Sequence, residues 1–333
     1  MPRPTILDVA KAAGVSRATA ARVLAGATNV DPAMASAVVR EAARLGYETN
    51  FAARVLRGGR AGAIGLVIAF NELGSLNGTF FTAVLKGAAK GLSAGEVQPV
   101  LLPADHEDLD RIPRFLRSGA LDGAIVVLQH EITHLVERLA DPPVPIAWVG
   151  RPRSDLGASS IVIDSDNYGG GRLAARALIE AGRRRIGIIT GPPDMEQARE
   201  RSRGWTDELA QHGIEPGPIV HGDFTLDSGT AAMARLLQRA PDLDGVFASS
   251  DLMAAGAVRV LHAAGRRVPQ DVSLVGFDDV LIASTNDPPL TTVRQPLEEM
   301  GRAAADTLLA AIRGQSVEGM QLLPTSLVRR ESL

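Results

Sequence analysis

A chain of 333 residues without cysteine is long enough for two or three domains with substantial cores, and it cannot form disulfides or thiolate metal sites. No apolar run approaches the roughly 20 residues of a membrane span, and the N-terminus lacks the basic-then-apolar layout of a signal peptide, so the cytoplasm is the expected location. The formal charge of −3 hides an asymmetry: residues 1–60 hold nine Lys/Arg against four Asp/Glu, a balance of +5 that leaves −8 on the remainder. A small basic segment joined to a large acidic one is the footprint of a nucleic-acid reader with a separate body, although a solvated basic surface gives the same count.

In chain order, the first organised stretch is 5–24, TILDVAKAAGVSRATAARVL. Ile6, Val9, Ala10 and Ala13 share one helical face, and Thr5 with Asp8 three residues on forms a capping box. Gly14 sits where a helix ends with positive φ, Val15 follows as an apolar turn residue, and Ser16 is placed to cap a second helix over 17–24. Two short helices joined by so tight a turn make a helix-turn-helix. The second carries Arg17, Thr19 and Arg22 beside an inner face of Ala20, Val23 and Leu24. An arginine there can donate two hydrogen bonds to guanine O6 and N7 in a major groove. An ordinary helical hairpin with solvated arginines fits the same residues. After a loop over 26–30, Asp31 and Pro32 open a third helix whose buried stripe is Met34, Val38, Ala42 and Leu45, and Gly46 ends it. The stretch 50–59, NFAARVLRGG, is helix-capable but too short to stand alone in water. Val55 and Leu56 give it an apolar edge and Arg54, Arg57 and Arg60 suit phosphates; a plain linker is the alternative.

From Ala61 onward strands and helices alternate. The strand-like runs are AIGLVIAF, QPVLLPA, GAIVVL, PIAWVG, SIVID, RIGIITG, IVHGD, GVFASS, SLVGFDD and TTVRQP, mostly separated by helical stretches, which is the pattern of parallel α/β sheets. They fall into two similar halves, about 61–160 and 163–290, with the tail from 291 crossing back.

The segments DVAKAAGVS, ARVLAG and LGYETNFAARVLRGGRAGAIGLVI carry a resemblance to the LacI/GalR (lactose repressor) family of bacterial transcription regulators, and the resemblance then covers essentially the whole chain. It implies a helix-turn-helix domain over 1–49, a hinge helix or linker over 50–60, and an effector-binding and dimerisation domain over 61–333. That last domain is expected to have the two-lobed periplasmic-binding-protein fold, lobe 1 being 61–160 with 291–323 and lobe 2 being 163–290 with the C-terminal tail. The resemblance further implies that Thr5, Ser16 and Thr19 hold phosphates and that Arg17, Ala18 and Arg22 face base edges. Residues near 50–58, beginning at Asn50, would become helical on an operator, with Leu56 wedged into a minor-groove base step and Ala53 beside it. In the cleft between lobes, where strand ends meet, Phe80 and Phe81 match the family's aromatic pair, Arg201 and Asp278 its polar clamp, and Phe224 its stacking aromatic. Aromatic faces suit the apolar side of a sugar or base, and Arg and Asp suit its hydroxyls. Taken singly, Phe81 reads equally as core and Asp278–Asp279 as a helix cap.

The chain also departs from the family pattern. Ala20 and Ala21 stand where Val and Ser are usual, Ala25 where Asn is usual, and Thr49 where Pro is common. Gly150 precedes Arg151 where Asp often does, and Ser250 replaces a common Asn, and both departures are expected to weaken hydroxyl recognition at the cleft positions Arg151 and Ser250. The function implied is a homodimeric repressor on a palindromic operator, controlled by a small, sugar-like effector, with no cofactor and no catalytic group. A sugar-binding transport or signalling protein without a DNA role is the alternative that the back half alone permits. His130 to His134 reads HEITH, the HExxH zinc pattern, but it directly follows the strand GAIVVL, which places His130 in a strand-to-helix loop, with Gln129, at the edge of the cleft. GGGR over 169–172 is glycine-rich without being a phosphate loop, and reads as a tight turn opening a helix.

Overall fold

The computed structural model describes residues 4–24, 27, 29–47, 60–69, 79–104, 110–128, 133–139, 141–153, 156 and 160–333. They form two compact units that divide between Ala61 and Gly62.

In the first unit three helices enclose a small core. Helix α1 (Ile6–Ala12) starts at Thr5, whose hydroxyl accepts from the Asp8 amide while the Asp8 carboxylate accepts from the Thr5 backbone, the expected capping box. Gly14 turns the chain at φ 67, and Ser16 caps α2 (Arg17–Leu24) by accepting from the Thr19 amide at 3.0 Å. Helix α3 (Pro32–Leu45) starts on the Asp31 carboxylate and ends at Gly46, in the left-handed region at φ 62. Val9, Ala10, Ala20, Val23, Val38 and Ala42 form the core. The expected stripe of α3 needs one correction: Met34, in the first turn, is 49% exposed, and the buried part of the stripe is Val38 and Ala42, in the middle and last turns. Ala20 is fully buried, so the small residue there serves close packing of α2.

The second unit contains two six-stranded sheets. All ten expected strands form: β1 (Ala63–Ala69), β2 (Gln98–Ala104), β3 (Gly123–Val127), β4 (Ile146–Val149), β5 (Ile161–Ser165), β6 (Ile186–Thr190), β7 (Ile219–His221), β8 (Gly245–Ala248), β9 (Ser273–Asp278) and β10 (Thr291–Arg294). Two further short strands, β11 (Met320–Leu323) and β12 (Ser326–Val328), close the sheets. The first sheet runs β11-β5-β4-β3-β1-β2 and is parallel throughout; the second runs β12-β10-β9-β8-β6-β7, with only β12 antiparallel. Continuous apolar runs such as GAIVV are buried from end to end, because helices cover both faces. On the first sheet these helices are α4 (Thr79–Ala94), α5 (Arg111–Leu116), α6 (Thr133–Arg138) and α12 (Leu297–Ile312). On the second they are α7 (Asn167–Glu180), α8 (Glu196–Gln211), α9 (Leu226–Arg239), α10 (Asp251–Ala263) and the short α11 (Leu281–Thr285).

The chain passes between sheets after β5, after β10 and after β11. The first lobe therefore extends to Ser165 rather than ending near 160, and the return follows Arg294 rather than starting at 291. Strand β5 (IVIDS) and strand β10 (TTVR) end in polar residues, and neither short run reveals which sheet it will join. Gly169 to Gly171 is also corrected, since it lies inside α7 and not in a turn. A Cβ on Gly171 would stand 2.1 Å from the Arg201 carbonyl oxygen, and one on Gly204 would stand 2.0 Å from that of Tyr168. The glycines thus let α7 and α8 touch backbone to backbone. Among the described residues no helix is long and apolar enough to cross a membrane.

Candidate functional site

Helix α8 carries the centre of the site. The glycine contact with α7 fixes its depth, and Arg201, only 5% exposed, projects from its second turn into the region where the strand ends meet. Its Nε donates to Asn167 Oδ1 at 2.8 Å and its Nη1 to the Ser249 carbonyl at 2.7 Å. Its guanidinium lies 3.7 Å from the centroid of the Phe277 ring and 5.9 Å from that of Phe224. The Asp278 carboxylate is 3.6 Å from Nη1. A buried cation is tolerated only when it is paired and hydrogen-bonded, and Arg201 is both.

Asp278 reaches this position through an unusual turn. Strand β9 ends with two consecutive residues in the left-handed half of conformational space, Asp278 at φ 109 and Asp279 at φ 59. Such backbone costs on the order of 1–3 kcal/mol per residue unless contacts hold it. Here Asp278 accepts from Gln295 Nε2 at 2.7 Å, and Asp279 receives Arg294 and Arg330, each at 2.6 Å. The two acids therefore diverge, and neither caps a helix. Burial lifts the Asp278 carboxyl to about 6, opposed by Arg201 and by the Gln295 hydrogen bond. Asp251, fully buried and bonded to Thr292 at 2.6 Å, is pushed well above the usual carboxylate range by burial and then by the negative Asp278. Asp164 on β5 is also lifted to about 6 by burial. One guanidinium thus faces the buried Asp164 and Asp251 and the largely buried Asp278.

Phe224 adopts φ 69, and its ring lies against Gly191, where a Cβ would come within 2.0 Å of the ring. Ser250 caps α10 by accepting from the Met253 amide at 3.2 Å and donates weakly to the Phe224 carbonyl. Its hydroxyl is engaged in fixing the Phe224 turn. Arg151, after β4, forms an ion pair with Glu200 of α8, which joins the first lobe to the second. Gly150 beside it takes φ 92, and a Cβ there would come within 2.6 Å of the Gln197 amide nitrogen, so an aspartate at this place would be strained and crowded. Phe80 and Phe81 open α4, 5.0 Å apart and edge to face, partly buried against the first-lobe core. The structure thus assembles Arg201, Phe224, Asp278 and Ser250 on the second lobe, brings Arg151 across to it, and seats the two phenylalanines on the first.

Sequence reasoning missed Gln295, Asn167, Asp164, Gln197 and Glu200. Gln295 links Ser165 at the first crossover to Asp278, and its place directly after the strand TTVR was the available signal. Asn167 and Asp164 sit in IDSDN at the other strand end. In the head, Arg17, Ala18 and Arg22 are exposed on α2, while Arg22 donates from one terminal nitrogen to both the carbonyl and the side-chain oxygen of Asn29. Asn50, Ala53 and Leu56 lie outside the described residues, as do Gln129, His130 and Glu131. Of HEITH only Thr133 and His134 are among the described residues, at the start of α6. Among the described residues no group of three or more His, Cys, Asp or Glu could hold a metal ion.

Residues 5–50 match the model of bacterial regulatory proteins of the lacI family, and residues 175–333 match a periplasmic-binding-protein-like domain. The HTH-type transcriptional regulator CelR of Thermobifida fusca is 42% identical over 99% of this chain and 98% of its own length. The chain belongs to the lacI family. Another lacI-family relative, the repressor PurR of Edwardsiella ictaluri, is 33% identical over 99% of this chain and 96% of its own. Among solved structures, a CelR–cellobiose complex matches with a TM-score of 0.77 at 40% identity, covering 99% of this chain and all of that one. A Lac repressor dimer bound to operator and an anti-inducer matches with a TM-score of 0.84 at 28% identity, covering 99% of both. As a lacI-family protein the chain is a DNA-binding transcriptional regulator with an N-terminal helix-turn-helix and a two-lobed α/β body, and its relatives are regulators, not enzymes.

Proposed function

We propose that this regulator is a cytoplasmic homodimeric repressor that binds a palindromic operator and is controlled by a sugar in the cleft between the two lobes of its body. The observation that carries the reading is the buried Arg201–Asp278 pair with the Phe224 ring beside it. Charged hydrogen-bonding groups next to an aromatic face are what a pyranose requires, with hydroxyls on its edge and C–H groups on its faces. Phe80 and Phe81 supply the opposite wall, and Arg151 and Ser250 shape the cleft from either lobe. A β-linked glucose disaccharide is the leading candidate, since CelR has been solved with cellobiose.

On the DNA side, Arg17, Ala18 and Arg22 face base edges and Thr5, Ser16 and Thr19 face phosphates; the exposure of Thr5 at the start of α1 and of Ser16, Arg17, Ala18 and Arg22 at α2, with Thr19 half-buried beside them, supports this. Asn50, Ala53 and Leu56 contribute the hinge, with Leu56 as the minor-groove wedge. Effector binding works by preferring one lobe arrangement, and a ligand with equal affinity for both would shift nothing. A thermal-shift screen of cellobiose, monosaccharides and purine bases tests the effector, because a ligand that binds only the folded state raises the melting temperature. Stabilisation by cellobiose and not by purines supports the reading, and the reverse result overturns it. A gel shift on palindromic DNA with and without the stabilising ligand tests the rest.

A further inference from the structure

We propose that Asp164 is a positioning residue for the clamp: it fixes the side-chain amide of Asn167 so that its carbonyl oxygen faces Arg201 and sets the guanidinium in the cleft. The proposal rests on the reading of Arg201 as an effector contact. Asp164 lies on β5 of the first sheet and is 2% exposed; Asn167, the first residue of α7 over the second sheet, is fully buried. Asp164 Oδ1 accepts from Asn167 Nδ2 at 3.1 Å and from the Ser165 amide at 2.9 Å. The same Nδ2 donates to the Ser165 carbonyl at 3.1 Å, so both amide hydrogens are engaged. The amide oxygen is left to accept from Arg201 Nε, at 2.8 Å.

The direction of this relay follows from donor and acceptor types. An ionised carboxylate only accepts and a guanidinium only donates, so an amide between them has one satisfactory orientation. Flipping Asn167 would set its oxygen against the carboxylate and its NH2 against Arg201. Asp164 is an unusual choice for packing alone. Its Oδ2 is buried without a hydrogen-bond partner, and burial raises its carboxyl to about 6, with Arg151 and Arg201 opposing that rise and Glu200 adding to it. An apolar residue of the same size would fill the position without that penalty. What the carboxylate adds is the orientation of Asn167, carried across the first crossover from the sheet of one lobe to the clamp of the other.

The test uses the full chain with isotope-labelled arginine, reading the Nε–H signal of Arg201, assigned by its loss in Arg201→Lys. Asp164→Asn retains an accepting oxygen and is expected to keep both the chemical shift and the slow solvent exchange of this proton. Asp164→Leu and Asp164→Ser are expected to shift the signal and to speed its exchange by about tenfold or more, the scale of one lost buried hydrogen bond. The indole signal of buried Trp205 reports that each variant is folded, and the serine variant serves if the leucine one does not fold. An Arg201 signal unchanged in a folded Leu or Ser variant overturns the proposal. Cellobiose titration of the same proteins is read separately. Failure of the wild type to bind it overturns the sugar reading and leaves the relay standing or falling on the Arg201 signal.

Discussion

Replacing Arg201 by methionine keeps the apolar stem of the side chain and removes its charge. The substitution deletes the hydrogen bonds to Asn167 and Ser249, the pairing with Asp278 and the contact with the Phe277 ring. The lost hydrogen bonds and the carboxylates left unpaired are one effect seen from two sides, so their costs do not add. Breaking a buried pair by removing one partner costs roughly 3–5 kcal/mol. In a domain of this size each kcal/mol lowers the melting temperature by about 2–4 °C, so a fall of roughly 6–20 °C near neutral pH is expected. The loss should shrink on acidification, because Asp278 and Asp164 take up protons as the pH falls through about 6 and no longer require a cation. Adding Asp278→Asn should recover part of the stability at neutral pH. Thermal melts of the single and double variants at about pH 7.5 and about pH 5 provide the measurement. A deficit that is the same at both pH values, or below about 1 kcal/mol, would refute the account of Arg201 as the cation that neutralises this cluster.

Three further outcomes follow from separate parts of the molecule. The folded values of Asp164 and Asp278, about 6, lie above the unfolded 3.8, so their contribution is complete below the unfolded value and is lost as pH rises through about 6. Asp164→Asn combined with Asp278→Asn should therefore flatten the dependence of melting temperature on pH between about 4.5 and 7.5, and an unaltered slope would contradict the assignment. Gly171→Ala places a methyl group against the Arg201 carbonyl and should destabilise by about 1–3 kcal/mol, with loss of cellobiose binding, as α8 is pushed outward; wild-type melting and binding would show that the helices can separate freely. Arg22→Ala should lose about 1–3 kcal/mol on operator DNA and relax preference at one position per half-site, which a binding-selection experiment reads directly. An unchanged sequence preference would remove Arg22 from base recognition.

The elements of this fold are legible in the sequence because each is announced locally. Thr5 with Asp8, Gly14, Ser16, Asp31 and Gly46 mark helix boundaries by cap chemistry, and they stand where that chemistry requires. The central strands such as Gly123–Val127 and Ile146–Val149 show as unbroken apolar runs because helices cover both faces of their sheet. The lobe boundaries were less legible: Ile161–Ser165 and Thr291–Arg294 carry no mark of which sheet they join, since pairing is decided by topology rather than by composition. Strands β11 and β12 were missed because edge strands of three or four residues with partial exposure have too little periodicity to be seen. Around Arg201, the family resemblance marks Arg201, Phe224 and Asp278, whereas Asn167, Gln295 and Asp164 become visible only in the folded chain. Nothing in IDSDN or in TTVRQP shows that the two segments lie side by side.

That juxtaposition explains why the site lies where the lobes can influence it. Ser165 ends the last strand before the first crossover, and Gln295 begins the return after the second; the Ser165 hydroxyl donates to the Gln295 side-chain oxygen. Gln295 in turn donates to Asp278, and Asp278 faces Arg201. Asp164, one residue before Ser165, reaches Arg201 from the opposite side through Asn167. Both arms of the clamp are therefore tied to segments that pass between the two sheets, and Arg151 with Glu200 adds a direct bridge between the lobes. Hinge motion in such a body changes a few backbone torsions at the crossovers. On the proposed reading such a motion displaces Ser165, Gln295 or Asn167, and with them Arg201 and Asp278. By reciprocity, a ligand that holds Arg201 and Asp278 in one arrangement must bias the crossovers by the same free energy.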